Sequence, residues 1–355
     1  MSASKVSLPK VSSYISEAFQ IRTQVNPDYH KAESESFEWF DKFELYTGDK
    51  RRMFLDSGII LACALCCPKA DYSRFRITSD FSLAFFSFED MLKGGNISNH
   101  EEMKGAIDAV MRVVHDPSAP TPSFKPAAML QSCFQRMAQH ASPALVQRIV
   151  TGLDEYIETC FQERLNRSMS TIPDLDEYIK QKRGTGAAKV FSSMLQFRQS
   201  LDLPDQVIND QSVSELTAAG CDIFVLVREL CSSIPAMRGT DSLNILSVVM
   251  HHNKDLDLNG AIEFVDQMIK KRVEEYLSLK TNMTSFGPDL DEQVAEFAQA
   301  MENSIHGFVE TIFSTPMVLG NQAKSAKETG VVNLDMLAPA QLGIEPKVER
   351  SNLNQ

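Results

Sequence analysis

Leu145-Val-Gln-Arg-Ile149-Val-Thr-Gly-Leu153-Asp-Glu-Tyr156-Ile157-Glu-Thr-Cys160-Phe161-Gln-Glu-Arg-Leu165 repeats its apolar side chains at intervals of three and four. That spacing puts Leu145, Ile149, Leu153, Tyr156, Cys160 and their neighbours on one stripe of an α-helix, and such a stripe faces a core. Ala261 to Leu277 makes a second stripe, and Leu290 to Ile312 a third. Strand-type alternation is almost absent. Glycine is scarce, at 16 of 355 residues, which also favours helix. The chain reads as all-α.

The breaks between helical stretches are polar or proline-rich. His115 to Pro126 holds four prolines, which remove donors and fix φ, so it cannot be helical. Met169–Pro173, Asp202–Asp205 and Thr281–Pro288 are the other breaks. None separates halves of different composition. The expectation is one helical domain over residues 8–320, a flexible N-terminus at 1–7 and a mobile C-terminal tail at 321–355.

Charge narrows the partners. Lys+Arg 35 against Asp+Glu 47 gives a net charge of −12, so no basic surface for nucleic acid or an anionic membrane is expected. The longest apolar run, Gly58–Cys67, is half the ~20 residues of a membrane helix, and Met1 to Lys10 has no signal-like apolar stretch. Seven cysteines, an odd number, argue against a disulfide framework. Cys63, Cys66 and Cys67 form a C-x-x-C-C group without a second ligand pair, and read as buried helix cysteines. A reducing, cytoplasmic location follows as an expectation. The sequons at Asn96, Asn166 and Asn282 read as chance matches.

Several residues could carry chemistry. Glu89-Asp90 offers two carboxylates, with Lys93 one turn on, where it can pair with Glu89. They form either a hard-cation site or a solvated helix end. Arg228-Glu229 reads as an ion pair or as part of a site. Pro235 predicts that its helix ends or kinks near Ser233. Phe81, Phe85, Phe86 and Phe88 pack a core or line a cavity, with Phe85 and Phe88 able to share one face. His251, His252 and His306 read as structural. No G-x-S-x-G, H-E-x-x-H or phosphate loop is present.

The chain resembles the fungal class I sesquiterpene synthases over roughly residues 8–320. Asn26-Pro27, Glu35-Ser36 and Trp39 are similar to the family's opening. Arg76-Ile-Thr-Ser-Asp80-Phe81 leading into Phe85-Phe86-Ser-Phe-Glu89-Asp90 resembles its first metal-binding helix. Pro173 to Ile179, followed by Lys182-Arg183-Gly-Thr185-Gly186, resembles its diphosphate-sensor segment. Asn244 to Met250, Leu256 to Ala261 and Ser285-Phe-Gly-Pro-Asp289 complete the likeness. The resemblance implies a single-domain bundle, an antiparallel α-barrel around an apolar cavity.

Against that pattern the catalytic motifs are altered. The family holds magnesium with D-D-x-x-D or a relative and with N-D-x-x-S-x-x-x-E. Here the first reads Glu89-Asp90-Met91-Leu92-Lys93. Counting back from Asn244 without gaps sets Arg228 on the asparagine, Ser232 on the serine and Ala236 on the glutamate. This register puts Lys182 on the sensor arginine. A second register, with Cys221-Asp222 on N-D and Glu229 on the glutamate, needs compensating gaps. The arginine–tyrosine pair near the family's C-terminus falls on Met317 and Val318.

The resemblance therefore implies Glu89, Asp90, Arg228, Glu229 and Ser232 as catalytic candidates. It implies Phe85, Phe88, Lys93, Lys182, Arg183 and Asn244 as substrate-binding candidates, with Lys93, Lys182, Arg183 and Arg228 forming a cationic rim. An apolar pocket of at least roughly 300 Å³ is expected, with Glu89 facing Arg228 or Ser232 across its mouth. Three functions fit. The first is a cyclase-like enzyme that directs bond formation on a terpenoid, with water or an amine as nucleophile, without metal-triggered ionisation. The second is a magnesium-dependent sesquiterpene synthase acting on farnesyl diphosphate with atypical ligands. The third is a non-catalytic accessory or vestigial terpenoid-binding protein. The first expects no cofactor; the second expects Mg2+ on Glu89, Asp90 and Ser232. All three share a terpenoid or prenyl diphosphate as small-molecule partner.

Overall fold

The computed structural model describes residues 5–93, 100–167, 172–236 and 243–336, without the side chains of 93, 100 and 164–167. Strand β1 (Lys5–Ser7) and helix α1 (Val11–Phe19) open the chain. Then come α2 (Tyr29–Asp41), α3 (Gly48–Leu55), α4 (Ile59–Cys66), α5 (Tyr72–Lys93), α6 (His100–His115) and α7 (Lys125–Met137). The second half holds α8 (Pro143–Arg167), α9 (Leu175–Thr185), α10 (Ala188–Gln199), α11 (Asp205–Ile208) and α12 (Gln211–Ala236). It continues with α13 (Ile245–His252), α14 (Leu258–Thr281), α15 (Pro288–Ser314), α16 (Ala323–Thr329) and strand β2 (Val331–Asn333). The three apolar stripes of the sequence lie on α8, α14 and α15. The sequons at Asn96 and Asn166 lie outside the described side chains.

Local chemistry explains the helix starts. Asp174 accepts from the Glu177 amide to begin α9, and Asp257 accepts from Gly260 to begin α14. α15 opens on Gly287, at φ +98°, followed by Pro288 in the first turn. In the proline-rich loop before α7, the buried Gln131 amide donates to the carbonyls of Pro117 and Ala119.

Two apolar cores form. One gathers α2, α4, α5, α7 and α8; the other gathers α1, α12, α13, α14 and α15. α10 joins them, with Val190 and Met194 in the first and Leu195 in the second. α15 lies against α4 so closely that a Cβ on Gly307 would sit 2.3 Å from the Leu65 carbonyl oxygen. Most residues of the family-like opening are structural. The Asn26 amide donates to the carbonyls of Cys67 and Ala70. Arg76 and Arg136 both hold the buried Asp80, and Trp39 lies against Arg136.

Two expectations need correction. Lys5–Ser7 and Val331–Asn333 pair as antiparallel strands, with Val6 and Val332 both buried. The described parts of the expected flexible N-terminus and mobile tail are thus tied to each other, and residues 337–355 lie outside the described residues. Lys327 of α16 also reaches Glu310 of α15 at 2.6 Å. Secondly, α12 continues past Ser233 to Ala236 with Pro235 inside it. Ser233 and Ile234 are buried, and their packing holds the last turn in helical form.

Candidate functional site

Four helices bring the polar candidates together. The Tyr156 hydroxyl on α8 donates to Glu89 Oε1 on α5 at 2.5 Å. The Tyr178 hydroxyl on α9 donates to Glu229 on α12. Lys182 Nζ, one turn further along α9, donates to Glu163 Oε1 at 2.9 Å and lies 4.0 Å from Glu229 Oε1. Arg228 Nη2 lies 3.5 Å from Glu229 Oε1. The described cluster therefore holds three carboxylates, two cations and two phenols.

Burial sets the protonation states. It raises both phenols far above their ordinary range, and the carboxylates of Glu89 and Glu229 add to this, so Tyr156 and Tyr178 stay protonated donors. Burial works against the charge on Arg228. The carboxylates of Glu229 and Glu89 outweigh it and hold the guanidinium pKa above its ordinary value. Glu89 and Arg228, 139 positions apart, thus share one electrostatic site.

Several candidates lie elsewhere. Neighbours on a helix point about 100° apart, so Asp90 turns away from Glu89 towards α3. It accepts from Tyr46 at 2.5 Å and pairs with Lys50 at 2.9 Å. Arg183 likewise diverges from Lys182 and pairs with the buried Asp222, which also binds Arg272. Phe85 lies against Tyr156 with ring centres 5.0 Å apart. Phe88, one turn on, is buried against Phe124. Asn244 caps α13 in a reciprocal arrangement with Ser247. Ser232 Oγ lies 3.5 Å from the Glu229 carbonyl. The Lys93 side chain lies outside the described residues.

Of the expected cationic rim, the three described members each have a carboxylate partner. Lys182 is held by carboxylates, Arg183 is paired with Asp222, and Arg228 lies 3.5 Å from Glu229. Sequence reading missed Tyr156, Tyr178 and Glu163 as site residues. Their signal was a polar tip on an apolar stripe, since a buried phenol needs a partner. A groove of about 280 Å³ between the end of α14 and the start of α15 is lined by Lys280, Met283, Ser285 and Asp291, and contains no candidate site residue.

Among the described residues no donor set fits a magnesium cluster. Magnesium wants several oxygen ligands in an octahedron. Glu89 accepts from the Tyr156 phenol, and Asp90 is paired with Tyr46 and Lys50 on another face. No group of three or more His, Cys, Asp or Glu among the described residues could hold a metal ion. The cysteines are likewise structural: Cys63 Sγ lies 3.2 Å from Ser82 Oγ, and none of the seven is bridged. His252 Nε2 lies 2.9 Å from the Pro173 carbonyl and His306 Nε2 2.9 Å from Ser16 Oγ.

The helical order and this inter-helical cluster define a class I terpene synthase bundle. The chain belongs to terpene synthase family 2, whose C-terminal metal-binding profile matches residues 80–275. Sesquiterpene synthase Agr1 of Cyclocybe aegerita is 26% identical over 334 residues, covering 93% of each chain. A Delta(6)-protoilludene synthase of Stereum hirsutum is 26% identical over 309 residues, covering 86% of this chain and 82% of that one. Among solved structures, linalool/nerolidol synthase from Streptomyces clavuligerus, in complex with 2-fluorogeranyl diphosphate, superposes with a TM-score of 0.72 at 17% identity. It covers 81% of this chain and 99% of its own. No helix among the described residues is long and apolar enough to cross a membrane.

Proposed function

We propose that this bundle binds a terpenoid or prenyl diphosphate and directs a stereocontrolled bond formation without metal-triggered loss of diphosphate. The nucleophile, water or an amine, adds across a polarised carbon–carbon double bond of the terpenoid: the new C–O or C–N bond forms as the π bond breaks, and the nucleophile's proton passes to the neighbouring carbon, so no leaving group is needed. The observation that carries this reading is the position of Arg228. Its guanidinium lies 3.5 Å from Glu229 and is held charged by the carboxylates of Glu229 and Glu89; on the ungapped register it would stand where the family's second motif has a neutral metal ligand.

The cluster supports such chemistry in three ways. Arg228 can orient an anionic or oxygenated group by charge-assisted hydrogen bonds. Tyr156 and Tyr178, held protonated, give their single hydrogens to Glu89 and Glu229 and so fix those two carboxylates in place. Glu89, Glu163 and Glu229 outnumber the described cations, and attract an amine in its protonated form. Holding nucleophile and terpenoid in one geometry lowers the entropic part of the barrier. Seven unbridged thiols suit a reducing compartment such as the cytoplasm.

The relatives' names favour the second reading, a magnesium-dependent sesquiterpene synthase, and one assay separates the two. Purified protein is incubated with farnesyl diphosphate, with and without magnesium, and volatile products are analysed by gas chromatography. Little or no cyclic hydrocarbon is expected in either condition. Robust product that requires magnesium would replace the proposal with the second reading.

A further inference from the structure

Arg198 is a buried charge whose partners do not neutralise it. It lies on α10 with only 6% of its surface exposed. Its Nε donates to the Met194 carbonyl one turn back, at 3.1 Å, and Nη2 lies 3.3 Å from Ser304 Oγ on α15. It also reaches the Cys67 thiol, which burial pushes up to about 12, so that sulfur stays neutral. Cys63 and Cys66 nearby are raised for the same reason. Among the described residues no carboxylate pairs with Arg198, although the buried Asp80, Lys182, Asp222, Glu229, Asp266, Glu302 and Glu310 each have a counter-ion. The carbonyl end of α4 offers only partial compensation. An interior guanidinium without an anion is costly.

The surroundings point to what could complete it. The guanidinium lies 5.8 Å from the centre of the Phe191 ring. Phe191 stacks on Phe224 at 4.8 Å, and Phe224 meets Phe308 at 4.4 Å. All three rings keep part of their surface accessible. α15 is otherwise buried from Ala300 to Phe313 except at Asn303. Phe224 stands one turn before Arg228 on α12. A row of aromatic rings therefore leads from Arg198 to the Glu89–Arg228 cluster.

We infer that Arg198 receives an acceptor oxygen of the ligand, a carboxylate or carbonyl, at the end of the ring row away from Arg228, so that the ligand is an oxygenated terpenoid rather than a plain hydrocarbon chain. The rings supply the apolar contact and Arg198 the orientation. The inference rests on the reading of the bundle as a terpenoid-binding space.

The test compares three probes of one skeleton by isothermal titration: farnesoic acid, farnesal and β-farnesene. The wild-type protein should bind the acid or the aldehyde at least ten-fold more tightly than farnesene. R198M should bring all three within about two-fold of one another, and its melting temperature should be unchanged or raised, because a buried charge is removed. R198K should retain part of the preference, and serves alone if R198M does not fold. Binding without preference, or a preference kept in R198M, overturns the assignment of Arg198 and leaves terpenoid binding standing. A preference lost in R228M but kept in R198M places the oxygen at the other end and also overturns it. Failure of all three probes to bind would overturn both the assignment and the terpenoid-binding reading.

Discussion

The phenol of Tyr156 on α8 donates its hydrogen bond to Oε1 of Glu89 on α5, 2.5 Å away. This bond aims Glu89 towards α8 and α12, where Arg228 feels its charge. Asp90, the next residue, is held on another face by Tyr46 and Lys50. Two adjacent carboxylates that could share a metal in the family are thereby given separate partners.

Removing that bond should be measurable. Tyr156→Phe leaves the ring in place and takes away a donor to a carboxylate, a loss of about 2 kcal/mol. Urea unfolding monitored by circular dichroism should show it as a lower midpoint with an unchanged slope. A midpoint equal to wild type would mean that Glu89 finds an equivalent partner.

Acid should weaken the fold first through His306. Burial lowers its pKa below the ordinary 6.5, against the opposing pull of Glu310 and with help from Lys327. The unfolded chain therefore takes up this proton near pH 6.5, and the folded chain only at lower pH. Stability should fall as pH drops below about 6.5. Glu310 resists burial through Lys327 and Ser12 and is held below its ordinary 4.5, so its contribution is lost only in stronger acid. Glu302, raised by burial despite Lys280, works in the opposite direction there. Melting temperatures from pH 7.5 to 5 should decline, and His306→Gln should flatten the decline. An unaltered slope in that variant would assign the effect to another group.

A chain ended at Gly320 should be less stable than the full chain. It loses the buried Val332, Leu334 and Ala326 and the Lys327–Glu310 pair. Burial of two large apolar side chains alone is worth about 3 kcal/mol. An unchanged melting temperature would restore the reading of residues 321–355 as a tail without structural role.

Gly307→Ala should separate α4 from α15, because its methyl group would sit 2.3 Å from the Leu65 carbonyl oxygen. Overpacking of a backbone contact costs about 3 kcal/mol. Thermal unfolding would reveal it, and a wild-type melting temperature would show that the two helices can part cheaply.

The fold was largely legible. The stripes at 145–165, 261–277 and 290–312 fall on α8, α14 and α15, and the proline-rich break falls between His115 and Lys125, where α6 ends and α7 begins. β1 and β2 were not legible, because each has three residues, too few for alternation to register. The site was legible only in part. The split between Glu89 and Asp90 follows from helix geometry alone. The partners of Lys182 do not, since Glu163 and Glu229 lie 19 and 47 positions away on other helices.

By itself the sequence supplied residue types and spacing, which on the ungapped register set a lysine at 93, an arginine at 228 and an alanine at 236 against the motifs. Residue type and helical period are local properties, so both can be read along one dimension. Which charges cancel, which phenol stays protonated and which guanidinium is left without an anion were decided only by the tertiary structure. Coulomb energy depends on the distance between side chains and on the water excluded around them. Both are set when α5, α8, α9, α10 and α12, far apart in the chain, pack against one another.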